Sequence, residues 1–291
     1  MALRAIVLSA AMLLTAPAAA QLAPFKNDLF NYPAPVTQDG AGDITVAYNR
    51  ERDMVARDKV LRRKAHDRFV DTSVRWKRRV RSYASPNGTK KKFEVGAYNG
   101  GAAVTVIYVH GKGGNRRQGV NDWTFGGNFN RLQNLMARNR GLLITPDFAG
   151  FGPKGTSDIE ALATHARVLS PAGKLYIACG SMGGSICWRL ASDPAKAALL
   201  DGIILLGARW NDSFLDSATI KSNTRDLPIV VAHGTADVVF PHSGWRSFLG
   251  KLRARRSNYP VRMVSFENGV HGTPIRMIDW RDELNRLIAK R

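Results

Sequence analysis

Residues 175–184 read Leu-Tyr-Ile-Ala-Cys-Gly-Ser-Met-Gly-Gly, and a helix-like run from Met182 to Ala191 follows. The apolar stretch Leu175–Ala178 suits a buried strand. A serine between such a strand and a helix sits on a sharp turn, which needs small neighbours because the backbone folds back beneath its side chain. Gly180, Gly183 and Gly184 supply them. The hydroxyl of Ser181 is then exposed over a helix N-terminus, whose unpaired N–H groups stabilise developing negative charge. The pattern is a nucleophile elbow, G-x-S-x-G, with Cys179 standing at the first glycine. Ser185, the competing serine, lies one turn inside the helix.

Outward from this turn, apolar strand-like runs alternate with helix-like ones. Strands are expected at Lys92–Tyr98, Val104–Val109, Leu142–Thr145, Gly202–Leu206, Leu227–Ala232 and Val261–Phe266. Helices are expected at Asn128–Arg138, Asp158–Val168, Ser243–Arg255 and Pro274–Ala289. This alternation predicts an α/β fold with a mostly parallel central sheet covered on both faces, and function at the C-terminal strand ends. Two further polar residues fall at such ends. Asp237 follows Leu227–Ala232, and His271 follows Val261–Phe266 on a loop that glycines flank. Serine at its free pKa is a poor nucleophile, so His271 would take its proton and Asp237 would hold the imidazole's tautomer. His242 is the main rival to His271, but it more naturally starts a helix.

The order Ser181, Asp237, His271, each after its own strand, resembles the α/β-hydrolase superfamily. The resemblance covers Lys91 to Arg291. Two more stretches share it: His110-Gly111 looks like the family's HG turn, and Asp147-Phe148-Ala149-Gly150-Phe151-Gly152 looks like its D-x-x-G-x-G turn, with Ala149 where arginine is common. The resemblance implies an oxyanion hole from the backbone N–H groups of Lys112 and Met182. It also implies a serine hydrolase, most simply one cleaving carboxylic esters through an acyl-enzyme. A peptidase, thioesterase or acyltransferase could use the same three residues, and an inactive scaffold that binds anionic surfaces is the reading outside catalysis. Trp123, Phe125, Phe151 and Trp210 are the aromatic candidates for the acyl pocket. Arg116 and Arg117 could meet an anionic group, though a solvated loop is the simpler role. The short interval between Leu206 and Leu227 leaves no room for a large cap, so the site should be open.

No cofactor is expected. Gly150-Phe151-Gly152-Pro153-Lys154-Gly155 matches the dinucleotide spacing G-x-G-x-x-G, but the next strand ends in Ala178-Cys179-Gly180 with no acid for a ribose, and Pro153 lacks an N–H. No metal is expected either, since the chain's 2 cysteines form no C-x-x-C pair.

The chain has 291 residues, 44% of them hydrophobic, and 43 Lys+Arg against 23 Asp+Glu, a net charge of +20. That composition excludes disorder as the main state, collagen and multi-span membrane classes. Met1–Ala20 reads as a secretory signal with one basic residue, an apolar stretch and a run of alanines before Gln21. A periplasmic or secreted protein is therefore expected, and an exported protein seldom meets nucleic acid. Residues 21–48 read as an irregular arm, and 49–82 as a basic amphipathic helix. In that helix Phe69, Trp76, Val80 and Tyr83 would share one face and Arg62, Arg63, Lys64, Arg75, Lys77, Arg78, Arg79 and Arg81 the other. Its charge suggests weak attraction to an anionic membrane surface or an acidic polymer. Cys179 and Cys187, one at a strand end and one in the following helix, are expected to be two buried free thiols, because a bridge needs Cα atoms within about 7 Å.

Overall fold

Apolar residues dominate Val104–Val109 (β7), Gly141–Pro146 (β8), Gly202–Leu206 (β10), Ile229–Gly234 (β11) and Val261–Phe266 (β12), and every residue of these strands is buried. A strand of that kind has to be covered on both faces. The computed structural model, which describes residues 21–222 and 225–289, shows how this is done. The expected secretory segment Met1–Ala20 lies outside the described residues.

The other strands are Val36–Gln38 (β1), Ile44–Val46 (β2), Asp58–Val60 (β3), Lys64–Ala65 (β4), Arg78–Tyr83 (β5), Lys90–Gly96 (β6) and Lys174–Gly180 (β9). One ten-stranded sheet runs β1-β2-β12-β11-β10-β9-β7-β8-β6-β5, and β3 and β4 form a separate ladder. The run from β2 to β8 is parallel throughout, while β1, β6 and β5 are antiparallel additions at the two ends. Alternate residues of each strand feed two cores. Ile107, Val109, Ile144, Ile177 and Leu205 pack with Ile159, Leu162, Ile186, Trp188 and Phe248 of the helices Pro153–Leu169, Gly184–Ser192 and His242–Arg255. Val106, Tyr108, Leu143, Tyr176 and Ile204 pack with Phe129, Leu132, Leu135, Leu284 and Leu287 of Asn128–Arg138 and Trp280–Ala289. Fully burying each such side chain contributes about 1.5–3 kcal/mol. The expected helix 274–289 is divided into Thr273–Met277 and Trp280–Ala289, with Ile278 in extended backbone between them.

The stretch 49–82 is not a helix. It holds a π-turn at Glu51–Val55, the ladder of β3 and β4, two short 3-10 turns at Asp67–Phe69 and Thr72–Lys77, and then β5. Of the four aromatic and apolar residues expected on one helix face, Phe69 and Tyr83 are buried, whereas Trp76 is 66% and Val80 57% exposed. Backbone pairing decides the matter: Ser85-Pro86-Asn87-Gly88 turns the chain so that β5 pairs with β6 over its full length. In a strand, side chains alternate every second residue, so Val80 cannot share a face with Tyr83. Residues 21–48 are likewise no loose arm. β2 lies in the sheet beside β12, and the backbone N–H of Leu22 donates to Asn285 Oδ1 at 2.7 Å.

Cys179 and Cys187 form a disulfide, contrary to the expectation of free thiols. The turn at Ser181 reverses the chain so sharply that the first turn of the helix Gly184–Ser192 backs onto the end of β9, with 6.3 Å between the two Cα atoms. The bridge occupies the position where the elbow pattern departs from glycine. Closing so short a loop is worth about 2–3 kcal/mol against the unfolded chain. A C179A/C187A double variant should melt lower by about 4–12 °C, roughly 2–4 °C per kcal/mol for a chain of this size. An unchanged Tm under non-reducing conditions would remove the bridge from the account of stability.

Candidate active site

Ser181 follows the last residue of β9 with φ at +48°, a backbone conformation that L-residues seldom adopt. The turn survives because nothing bulky lies beneath it. A Cβ on Gly183 would stand 2.8 Å from the carbonyl oxygens of both Val109 and His110, so the elbow packs directly on the end of β7. A Cβ on Gly111 would meet Ser181 Cβ at 3.0 Å, which places the HG turn against the serine.

The three residues expected from the strand ends converge. His271 Nε2 lies 2.8 Å from Ser181 Oγ, and His271 Nδ1 lies 2.8 Å from Asp237 Oδ2. Ionised Asp237 can only accept, so Nδ1 carries the proton and Nε2 is left to accept from the serine hydroxyl. The other oxygen of Asp237 accepts the backbone N–H groups of Val239 (2.8 Å) and Phe240 (3.1 Å), which fixes the carboxylate in a buried position. The Phe240 ring meets the His271 imidazole edge to face at 5.5 Å. His242, the rival histidine, instead contacts Ser265 Oγ at 2.9 Å. The backbone N–H of Lys112 makes no hydrogen bond among the described residues. Met182 is the second residue of the 3-10 turn Ser181–Gly183, where the first N–H groups lack partners within the turn.

Beside Ser181 lies an open groove of about 1030 Å³. Trp210 lines it as expected, with Met182, Trp188, Arg189, Arg209 and Phe240. The other three aromatic candidates lie elsewhere. Trp123 stacks under Lys64, with the ammonium 4.8 Å from its ring. Phe125 packs edge-on against Phe129 in the core, and Phe151 stands beside Phe148, its carbonyl accepting the Ser185 hydroxyl at 2.8 Å. Arg116 is tied to the carboxylate of Asp147, which also accepts its backbone N–H at 2.9 Å. Sequence reading missed Phe240, Arg189 and Arg209. Phe240 alone had a signal, its place three residues after Asp237. Among the described residues no cluster of three or more His, Cys, Asp or Glu is arranged to hold a metal ion.

Two histidines near the site are held neutral. Burial lowers the pKa of His110, which stacks on Phe148 at 4.4 Å, and of His233, whose Nε2 lies 2.7 Å from the Phe240 carbonyl. Such a group binds fewer protons folded than unfolded. Its stabilising contribution is therefore whole above the unfolded pKa of about 6.5 and declines as pH falls below it. Tm should be level from pH 7 to 8.5 and drop between pH 6.5 and 5. A flat Tm across that lower range would contradict the neutral burial of these rings.

No protein-family model matches the sequence, and no curated protein matches it in sequence. Solved structures do match in shape. A mutant of the feruloyl esterase module of Clostridium thermocellum, solved with sinapinate, superposes with a TM-score of 0.57 at 14% identity, over 73% of this chain and 88% of that one. An esterase of Pyrococcus furiosus gives 0.55 at 12% identity, over 75% and 93%. A serine hydrolase without a lid from Xanthomonas campestris gives 0.52 at 18%, over 73% and 94%. This chain has the α/β-hydrolase fold. Within that fold β9 carries the elbow serine, and the loops after β11 and β12 carry the aspartate and the histidine. The interval between β10 and β11 holds only a 3-10 turn at Asp212–Asp216 and the helix Ala218–Ser222 among its described residues. The groove is accordingly uncapped there.

Proposed function

We propose that the protein is a serine hydrolase that cleaves carboxylic esters through an acyl-enzyme. The observation that carries this reading is the unbroken chain of 2.8 Å contacts from Asp237 through His271 to Ser181 at the floor of an open groove. His271 Nε2 takes the serine proton as Oγ attacks the ester carbonyl, and Asp237 stabilises the imidazolium that results. The backbone N–H groups of Lys112 and Met182 face the oxyanion; one such donor is worth about 10²–10³ in rate. Collapse of the tetrahedral adduct expels the alcohol, which takes the proton from His271. Water then attacks the acyl-serine by the same proton route and releases the acid.

The disulfide fits an exported protein, since such bonds persist in oxidising compartments. The exposed Trp76, just before the edge strand β5, and Val80 between Arg79 and Arg81 on it suit weak contact with an anionic membrane surface or an acidic polymer. Incubation with a fluorophosphonate followed by peptide mapping tests the catalytic reading. A single adduct on Ser181 is expected. No adduct, or one elsewhere, would favour an inactive scaffold.

A further inference from the structure

We propose that the groove beside Ser181 selects esters that carry an anionic group, a carboxylate in the simplest case, held by Arg189 and Arg209. This rests on the hydrolase reading and adds the substrate class to it. Both arginines line the groove and both are exposed. Neither has a carboxylate within ion-pair reach among the described residues. Elsewhere several arginines do hold acids: Arg167 holds Asp201, Arg253 holds Asp43, Arg255 holds Asp216 and Arg256 holds Asp226. The groove contains one carboxylate, Asp212, and it is already answered by Lys251 at 3.0 Å. That carboxylate also accepts the indole N–H of Trp210 at 3.2 Å, and the Arg209 guanidinium stands 5.5 Å from the centre of the same indole. Arg209 is thus steered by a ring that its own neighbour fixes, so less rotamer freedom is lost when it meets a ligand.

The rest of the lining completes the picture. Trp188, Trp210, Phe240 and Met182 offer apolar surface for the carbon skeleton, while two guanidiniums with five donors each await an acceptor. A neutral ester would leave both cations without a counter-charge, whereas an anionic one pairs them at the moment of binding. The net charge of +20 adds a field that draws anions toward the molecule at low salt.

The test compares matched esters on the purified full chain: mono-p-nitrophenyl adipate against p-nitrophenyl hexanoate, and 4-carboxyphenyl butyrate against 4-carbamoylphenyl butyrate. The first pair places the charge on the acyl side and the second on the alcohol side. In at least one pair the anionic ester should be preferred in kcat/KM by about three- to tenfold at low salt, the range for one or two exposed ion pairs. The preference should shrink with added salt and fall toward one in R189Q/R209Q. A ratio near one in both pairs, or a ratio that the double variant leaves unchanged, would overturn the proposal while leaving the hydrolase reading intact. If no ester is turned over, the hydrolase reading fails and the groove is tested by binding alone. Quenching of tryptophan fluorescence by 4-phenylbutyrate should then exceed that by its amide, and the excess should vanish in R189Q/R209Q. Equal quenching would overturn the proposal.

Discussion

Ser181→Ala should abolish ester turnover, lowering kcat/KM by about 10⁴-fold or more, as removal of the nucleophile does where the remaining machinery only binds and polarises. The variant isolates chemistry from folding unusually well. Ser181 sits at φ +48°, where any L-residue is strained to a similar degree, and among the described residues its hydroxyl bonds only to His271. Alanine therefore removes one hydrogen bond at the floor of an open groove and nothing from either core. Tm should stay within a degree or two, consistent with the small cost of surface changes. Retention of more than about a tenth of wild-type ester turnover by a folded S181A protein would transfer the nucleophile's role to another group; Ser185, whose hydroxyl is engaged by the carbonyls of Phe151 and Met182, would be the first to examine.

Asp237→Asn is the second large effect, about 10³–10⁴-fold in kcat, and its reason is directional. One carboxylate oxygen faces two backbone donors, the N–H groups of Val239 and Phe240, while the other faces His271 Nδ1. An asparagine in the same rotamer must turn its carbonyl oxygen toward the two N–H groups, because an NH₂ there would meet donors only. Its NH₂ then points at His271 and donates, so the imidazole must accept through Nδ1 and carry its proton on Nε2. That tautomer has no lone pair for the Ser181 hydroxyl. The loss should fall on kcat more than on KM, since the groove is untouched. Equal activity of D237N and wild type would mean that the carboxylate only braces its loop.

Much of this arrangement was legible before any coordinates. Strands buried on both faces announce themselves as largely apolar runs, and β7, β10 and β12 lie where the runs lie, although Thr105, Arg262 and Ser265 interrupt them. The helix Asn128–Arg138 begins and ends as its periodicity indicates. The serine, aspartate and histidine were readable because each lies on the turn or loop that leads out of its strand. Failures came where distant partners decide. Phe69, Trp76, Val80 and Tyr83 have helical spacing, but β6 offers β5 a full ladder of backbone hydrogen bonds, and no local pattern reports that offer. The cysteine pair differs from expectation because a strand end and the following helix are not held apart here; the reversal at Ser181 brings the two Cα atoms to 6.3 Å. The groove was read least well. Its lining comes from the helix after β9 and the loops after β10 and β11, so Arg189, Arg209 and Phe240 become neighbours only once the sheet has placed three strand ends side by side.

The position of β2 bears on how such a molecule is assembled. It lies in the sheet against β12, pairing Ile44 with Val264 and Val46 with Phe266 across more than two hundred residues of intervening chain. During synthesis β2 has only its neighbour β1 to pair with until nearly the last residues have left the ribosome. Contacts this far apart in order of synthesis slow closure and keep the nascent polypeptide open. A polypeptide that must travel unfolded through a narrow conduit before it sets would gain from that delay.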